Sequence, residues 1–286
     1  MEIGWIGPGK LGLAMAAKAV QAGHKVTAFV RDPAKVPAVE AKGVGAAGFT
    51  QAAGHAVIFT CLPDDKVLVE VAGKLIPAMA QGHLLVETST VSAEASRAVA
   101  EIAAARGVAY LRAPVSGNPI VVNAGKAAIM ASGPKDGFER AKPIFDSFAV
   151  ATHYLGDGEQ ARVVKLAMNL LIAVTCGMIG EAMALSASSG VDEKVFLDIL
   201  GSTALASPFI QGKIAALKAN DMTPTFQGSQ MMKDLSLALA EANRAGVPAP
   251  LTALTLTQYA ALAVTGELEQ DLVAVAKLAG RFLPRG

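Results

Sequence analysis

Gly7, Gly9 and Gly12 stand at G-x-G-x-x-G spacing in "EIGWIGPGKLGLAMA", directly after a strand-like run and directly before a helical one. Few features restrict a fold so strongly, because each glycine meets a different steric demand of one strand–turn–helix unit. The first permits the tight turn, the second lets a pyrophosphate approach the backbone, and the third lets the helix pack closely on the strand. Beyond the turn, the helix N-terminus offers unpaired N–H groups to an anion. A glycine turn that joins strand to helix and binds nothing is the alternative, and the βαβ pattern around the motif weighs against it.

Downstream, short β-like runs alternate with Ala-rich helical stretches: "KVTAFV", 34–42, "AVIFTCL", 65–80, "HLLVETST", 93–106 and "VAYLRAPVS". Alternation at this spacing predicts an α/β fold, a Rossmann-type doubly wound parallel sheet covered on both faces. "AAIMASG" at 127–133, a helix near 136–147 and "ATHYLG" are expected to extend that sheet. From residue 158 the periodicity is mainly helical, punctuated at "SSGVD", "TALASP", "NDMTPTF" and "AGVPAP". The expected division is a dinucleotide-binding domain over 1–157 and an all-α substrate and dimerisation domain over 158–286, joined by a long interdomain helix.

With 286 residues the chain has enough length for two cored domains. Twenty-five basic and 24 acidic residues leave a net charge of +1, and no Lys/Arg run carries interleaved aromatics. A small-molecule partner is expected, not a nucleic acid. Apolar residues make up 52% of the chain, but Lys165, Asn169 and Glu181 interrupt the most apolar stretches, so no membrane span is expected. Met1 leads straight into a strand-like run with no leader pattern, which gives a cytoplasmic expectation. Cys61 and Cys176 have neither metal nor redox spacing and read as packing residues, and no metal is expected.

Cofactor choice rests on the end of the second strand, "VTAFVRDPAK", where an NAD site places a carboxylate on the ribose 2′-OH and an NADP site places a cation. With Val30 as the last strand residue, Arg31 follows at once and Lys35 four residues on, so NADP is expected. A register two residues different makes Asp32 an NAD-type acid, and NAD stays open on that ground.

In "GDGEQARVVKLAMNLLIA" a glycine-rich turn runs into an apolar helix that carries Lys165 and Asn169 at i and i+4, on one face. Arg162, one turn earlier, is expected near the same edge. A snorkelling lysine is the plain reading. The apolar neighbours Val164, Leu166 and Met168 favour another: partial desolvation lowers a lysine's pKa and suits it to general acid catalysis.

The chain resembles the β-hydroxyacid dehydrogenase family, the group that holds 3-hydroxyisobutyrate dehydrogenase, tartronate semialdehyde reductase and the glyoxylate/succinic semialdehyde reductases. The resemblance covers nearly the whole sequence. It rests on "GWIGPGKLGLAMA", "RAPVSGN" at 112–118, "GDGEQARVVKLAMN" and "MKDLSLALAEA" at 232–242, supported by "CLPDD" and "ETSTVS". It implies that Lys165 donates and accepts the catalytic proton, that Asn169 holds substrate, and that Ser116, Gly117 and Asn118 bind a substrate carboxylate. It further implies a cofactor lined by Gly7, Gly9, Lys10, Leu11, Gly12, Leu62, Pro63 and Thr90, with Lys233 on its distal side, in a homodimer or homotetramer. By spacing alone, Thr90 reads as a strand-end residue or N-cap, and Lys233–Asp234 as a solvated pair.

Four positions depart from the family pattern. Arg112 replaces an aspartate, Asn118 the second glycine, Val121–Val122 a Gly-Ala pair, and Gln230 a leucine. All are expected around the substrate, with Phe209 and Phe226 as candidate pocket walls. The expected activity is NADP-preferring interconversion of a small 3-hydroxy acid and its semialdehyde or oxo acid. An imine reductase or reductive aminase on the same scaffold is the alternative, argued against by Lys165 and "PVSG". A nucleotide-binding sensor without turnover is the alternative from another class.

Overall fold

The computed structural model describes residues 1–282. The chain divides into two compact units, Met1–Leu166 and the residues from Ala167 onward.

In the first unit, strands β1 (Glu2–Ile6), β2 (Lys25–Phe29), β3 (Gly45–Ala47), β4 (Val57–Thr60), β5 (Leu84–Glu87) and β6 (Ala109–Arg112) form one sheet in the order β3-β2-β1-β4-β5-β6. All its pairings are parallel. Helices α1 (Lys10–Gln21), α2 (Val36–Glu40), α3 (Phe49–Ala53), α4 (Asp65–Ala78) and α5 (Ala93–Ala105) make the crossovers. Burial on both faces explains why the central strands read as unbroken apolar runs. β4 and β5 are buried at every position. Trp5 and Phe59 stack on one face with ring centroids 5.0 Å apart, and Phe145 meets Phe59 edge-on at 5.9 Å.

Two expectations need correction here. The stretch 34–42 is a 3-10 turn, Pro33–Lys35, followed by the single-turn α2, and β3 with α3 lie in the stretch that follows, which the sequence pattern left without an element. β3 is only Gly-Ala-Ala, too poor in β-branched side chains to carry a strand signal. Second, the runs near 127–133 and 149–154 do not extend the parallel sheet. After β7 (Val115–Ser116) and α6 (Pro119–Asn123), strand β8 (Ala127–Ala131) returns antiparallel to β7; α7 (Lys135–Phe145) follows, and β9 (Ala149–Tyr154) closes a separate three-stranded sheet. The ten residues between β7 and β8 are too few for a parallel crossover.

The second unit is helical, as expected: most of α8 (Gln160–Ala187), then α9 (Glu193–Ser202), α10 (Pro208–Ala219), α11 (Gly228–Ala245) and α12 (Pro250–Val264). Its core joins Cys176, Ile179 and Met183 of α8 to Leu197, Ile214, Leu235, Tyr259 and the segment Leu272–Ala276. By length and composition α8 is apolar enough to cross a membrane, a property it shares with core helices of helical domains. Lys165 and Glu181 therefore do not shorten its apolar stretch as far as the sequence reading expected.

A buried ion pair organises one end of this unit. Lys213 donates to Asp271 Oδ1 at 2.7 Å, and the carboxylate also accepts from the Val273 and Thr225 N–H groups at 3.0 and 2.9 Å. Burial opposes the Asp271 charge, but these donors win and hold its pKa below the ordinary aspartate value. The stability it contributes is therefore present above the ordinary aspartate range and is lost as pH falls through the depressed value. Asp271→Ala strands Lys213 and is expected to cost about 3–5 kcal/mol in denaturant unfolding. A loss within experimental error contradicts this role.

Candidate active site

The glycine turn sits at the carboxyl end of β1, where the strand order reverses between β1 and β4. Open α/β sheets bind ligands at such reversals. Gly7 has φ +89°, and a Cβ there meets the Cys61 carbonyl oxygen at 2.2 Å; one on Gly12 meets the Gly7 carbonyl oxygen at 2.2 Å. Gly9 differs, because a Cβ there meets nothing within 4 Å. Gly9 is also the N-cap of α1, with no side chain capping it, and Lys10 at the first helical position is exposed. Open space in front of an uncapped helix N-terminus fits a pyrophosphate. Leu11 is half-buried against the core of the unit.

The neighbouring strand ends supply the other loops. After β4, the Leu62 N–H donates to Ser89 Oγ at 2.6 Å, which ties this loop to the one after β5 that holds Thr90. Pro63 is exposed and Thr90 half-buried. Thr90 is not a helix cap: Ser92 caps α5 by accepting from the Ala95 N–H at 3.0 Å. Burial pushes the Cys61 thiol up to about 11, so it is neutral near pH 7 and no nucleophile. β2 ends at Phe29, one residue before the expected Val30. Arg31 is exposed just beyond it, while the Asp32 carboxylate accepts from the Ala34 N–H at 3.1 Å as cap of the next turn.

Ser116 ends β7 and pairs with Ala128. Gly117 follows at φ +149°, a region that only glycine enters easily. Asn118 then caps α6, its side-chain oxygen accepting from the Val121 N–H at 3.0 Å. The departures at 121 and 122 are packing. Val122 is fully buried and Val121 packs on the same core, with α6 against α1. Arg112 is equally committed: its guanidinium pairs with Glu159 at 2.5 Å and lies 4.8 Å from the Tyr110 ring centroid. Arg112, Val121 and Val122 thus each have a packing partner within the first unit.

Lys165 is 6% exposed and Asn169 2%, one turn apart on α8. Arg162, three residues before Lys165, falls near that same edge of α8. It is buried in the first unit and pairs with Glu87 at the end of β5. In the second unit, Asn169 Nδ2 donates to Asp234 Oδ2 at 2.5 Å, and Lys233 Nζ lies 3.1 Å from Asp234 Oδ1. Asp234 is 1% exposed, which corrects its reading as half of a solvated pair. The signal was available: Met231 and Leu235 mark the buried face of α11, and Asp234 falls on it. Phe226 and Phe209 are half-buried against the helical core, and Gln230 is exposed. Among the described residues no His/Cys/Asp/Glu group could hold a metal.

Residues 2–156 match the family model described as the NAD binding domain of 6-phosphogluconate dehydrogenase, and residues 159–279 that described as NAD-binding of NADP-dependent 3-hydroxyisobutyrate dehydrogenase. The chain is 33% identical over 273 residues to 3-hydroxyisobutyrate dehydrogenase of Pseudomonas aeruginosa, covering 88% of this chain and 89% of that protein. It resembles the solved structure of Mycobacterium tuberculosis 3-hydroxyisobutyrate dehydrogenase with L-serine, at TM-score 0.86, 27% identity and 96% and 97% coverage. An imine reductase from Pseudomonas sp., at TM-score 0.65, 22% identity and 96% and 98% coverage, shares the fold.

Proposed function

Because the chain belongs to the β-hydroxyacid dehydrogenase family, whose named members act on hydroxyl groups with a nicotinamide nucleotide, we propose that it reduces a small carbonyl acid to the 3-hydroxy acid, or runs the reverse, with Lys165 moving the proton and NADP preferred. The carrying observation is Lys165 itself, an almost fully buried cation one turn from a buried amide. A titratable side chain so withdrawn from water, beside a buried polar group, is the kind of position that proton-transfer sites occupy.

When bound, the nucleotide supplies or accepts the hydride. The chain's residues do the rest. The turn at Gly7–Gly12 and the α1 N-terminus take the pyrophosphate, with Leu62, Pro63 and Thr90 along the cofactor and Lys233 at its distal side. Ser116, the Gly117 turn and the remaining amide of Asn118 take the substrate carboxylate through hydrogen bonds, without a second buried cation. Asn169, oriented by Asp234, holds the reacting oxygen, and Lys165 gives that oxygen its proton. Phe226 and Gln230 contact the rest of the substrate. NADPH consumption screened over short semialdehyde acids and cyclic imines separates this from imine reduction, because an imine needs no carboxylate pocket. Turnover with imines alone overturns it.

The exposed Arg31 and the local engagement of Asp32 support NADP over NAD. Arg31→Ser is expected to lower the NADPH/NADH ratio of kcat/KM by about tenfold to a hundredfold, the worth of one charge-assisted phosphate contact. An unchanged ratio contradicts that role. A homodimer or homotetramer is proposed from the exposed Leu171, Met178 and Leu185 of α8 and Leu251 and Leu254 of α12. Light scattering that finds a stable monomer contradicts it.

A further inference from the structure

Arg162, 1% exposed, is the largest fully buried charged side chain among the described residues of the first unit, three residues before Lys165 on the same helix. Every branch of its guanidinium is used. Nη1 donates to the Ser89 carbonyl at 2.7 Å, Nη2 to Glu87 Oε2 and to the Tyr110 hydroxyl at 3.2 Å, and Nε to Ser96 Oγ at 3.4 Å. Glu87 also accepts from the Ser89 N–H at 2.8 Å, and Ser89 Oγ in turn holds the Leu62 N–H at 2.6 Å. Burial works against the arginine's charge, but Glu87 and Tyr110 outweigh it, so Arg162 stays cationic.

A buried ion pair is a poor source of net stability, because desolvating two charges consumes most of their attraction. It does fix geometry. Here it fastens the first turn of α8 to the loops after β4 and β5. We propose that the Glu87–Arg162 pair is a positioning device, which sets Lys165 against the cofactor loops at Leu62 and Ser89–Thr90 so that proton donor and nucleotide site move as one body. This rests on the reading of Lys165 as proton donor. Arg162 touches neither substrate nor cofactor in this scheme and acts only through the helix it anchors.

The test compares Arg162→Lys, Glu87→Gln and the apolar double variant Glu87→Leu/Arg162→Met, each alone and with Lys165→Ala, using purified full-length protein, NADPH and the best short semialdehyde acid from the panel. Arg162→Lys keeps the charge but loses the fork. Where the single variants fold poorly, the double variant removes both charges together and keeps the volume filled. With melting temperature and KM near wild type, kcat is expected to fall on the order of a hundredfold, the effect of a small misplacement of a catalytic group. In the Lys165→Ala background the same changes are expected to alter residual turnover by less than about twofold, since a residue acting through Lys165 has nothing left to position. A double variant with wild-type kcat, or an equal loss in both backgrounds, overturns the proposal and leaves the Lys165 reading intact. Near-normal turnover of Lys165→Ala alone removes that reading and the positioning role with it.

Discussion

Lys165→Ala is expected to lower kcat for reduction of a short semialdehyde acid by about a thousandfold while NADPH binding stays within a few-fold of wild type. A positioned general acid contributes about 10²–10⁴ in rate, and three decades correspond to about 4 kcal/mol of transition-state stabilisation. The loss falls on kcat because the proton is needed only as charge develops on the substrate oxygen. Cofactor binding is expected to be spared because the loops proposed to hold the nucleotide follow β1, β4 and β5, while Lys165 is on α8. Truncating a side chain this buried leaves a cavity and unsatisfied neighbours, so melting temperature is expected to fall somewhat, and kinetics are compared where both proteins are fully folded. Steady-state kinetics with fluorescence titration of NADPH checks both halves.

The second large effect separates two glycines of one motif. Gly9→Ala adds a methyl where nothing in the chain lies within 4 Å. Folding is expected to be unaffected, yet the methyl occupies the approach of the pyrophosphate. A loss of about 2–3 kcal/mol in NADPH affinity, or about thirtyfold to 150-fold in Kd, is expected, comparable to losing hydrogen bonds to a charged group. Gly12→Ala does the opposite. Its methyl lies 2.2 Å from the Gly7 carbonyl oxygen, so α1 must shift off β1 and melting temperature drops, by overpacking worth about 1–3 kcal/mol or more. Equal effects of the two substitutions on folding and binding contradict the division of labour inferred for the turn.

What the sequence made legible follows from how locally each signal is written. The glycine turn, the parallel strands and the helical second half carry short-range periodicity and were readable directly. β8 and β9 were readable as strands but not as a separate sheet, because antiparallel return is set by the length and conformation of the connection 117–126, which periodicity does not report. Lys165 and Asn169 stood out because they interrupt an apolar helix. Asp234 did not, because its neighbour Lys233 made the pair look solvated, and only the helix phase shows which of the two is buried. The packing roles of Arg112, Val121 and Val122 were not legible. Their partners, Glu159 and the core under α1, lie far off in sequence or across an interface no local pattern encodes. Arg162 belongs to the same class, since Glu87 lies 75 residues away.

The most direct measurement follows the hydride itself. The protein is incubated with NADPH carrying deuterium at the transferring C4 position and a short semialdehyde acid, and the product is read by mass spectrometry. The expected result is one deuterium on the carbinol carbon of the 3-hydroxy acid with wild-type protein, and almost none with Lys165→Ala. Label passing to product equally well without Lys165, or no label entering the 3-hydroxy acid with wild-type protein, contradicts the account.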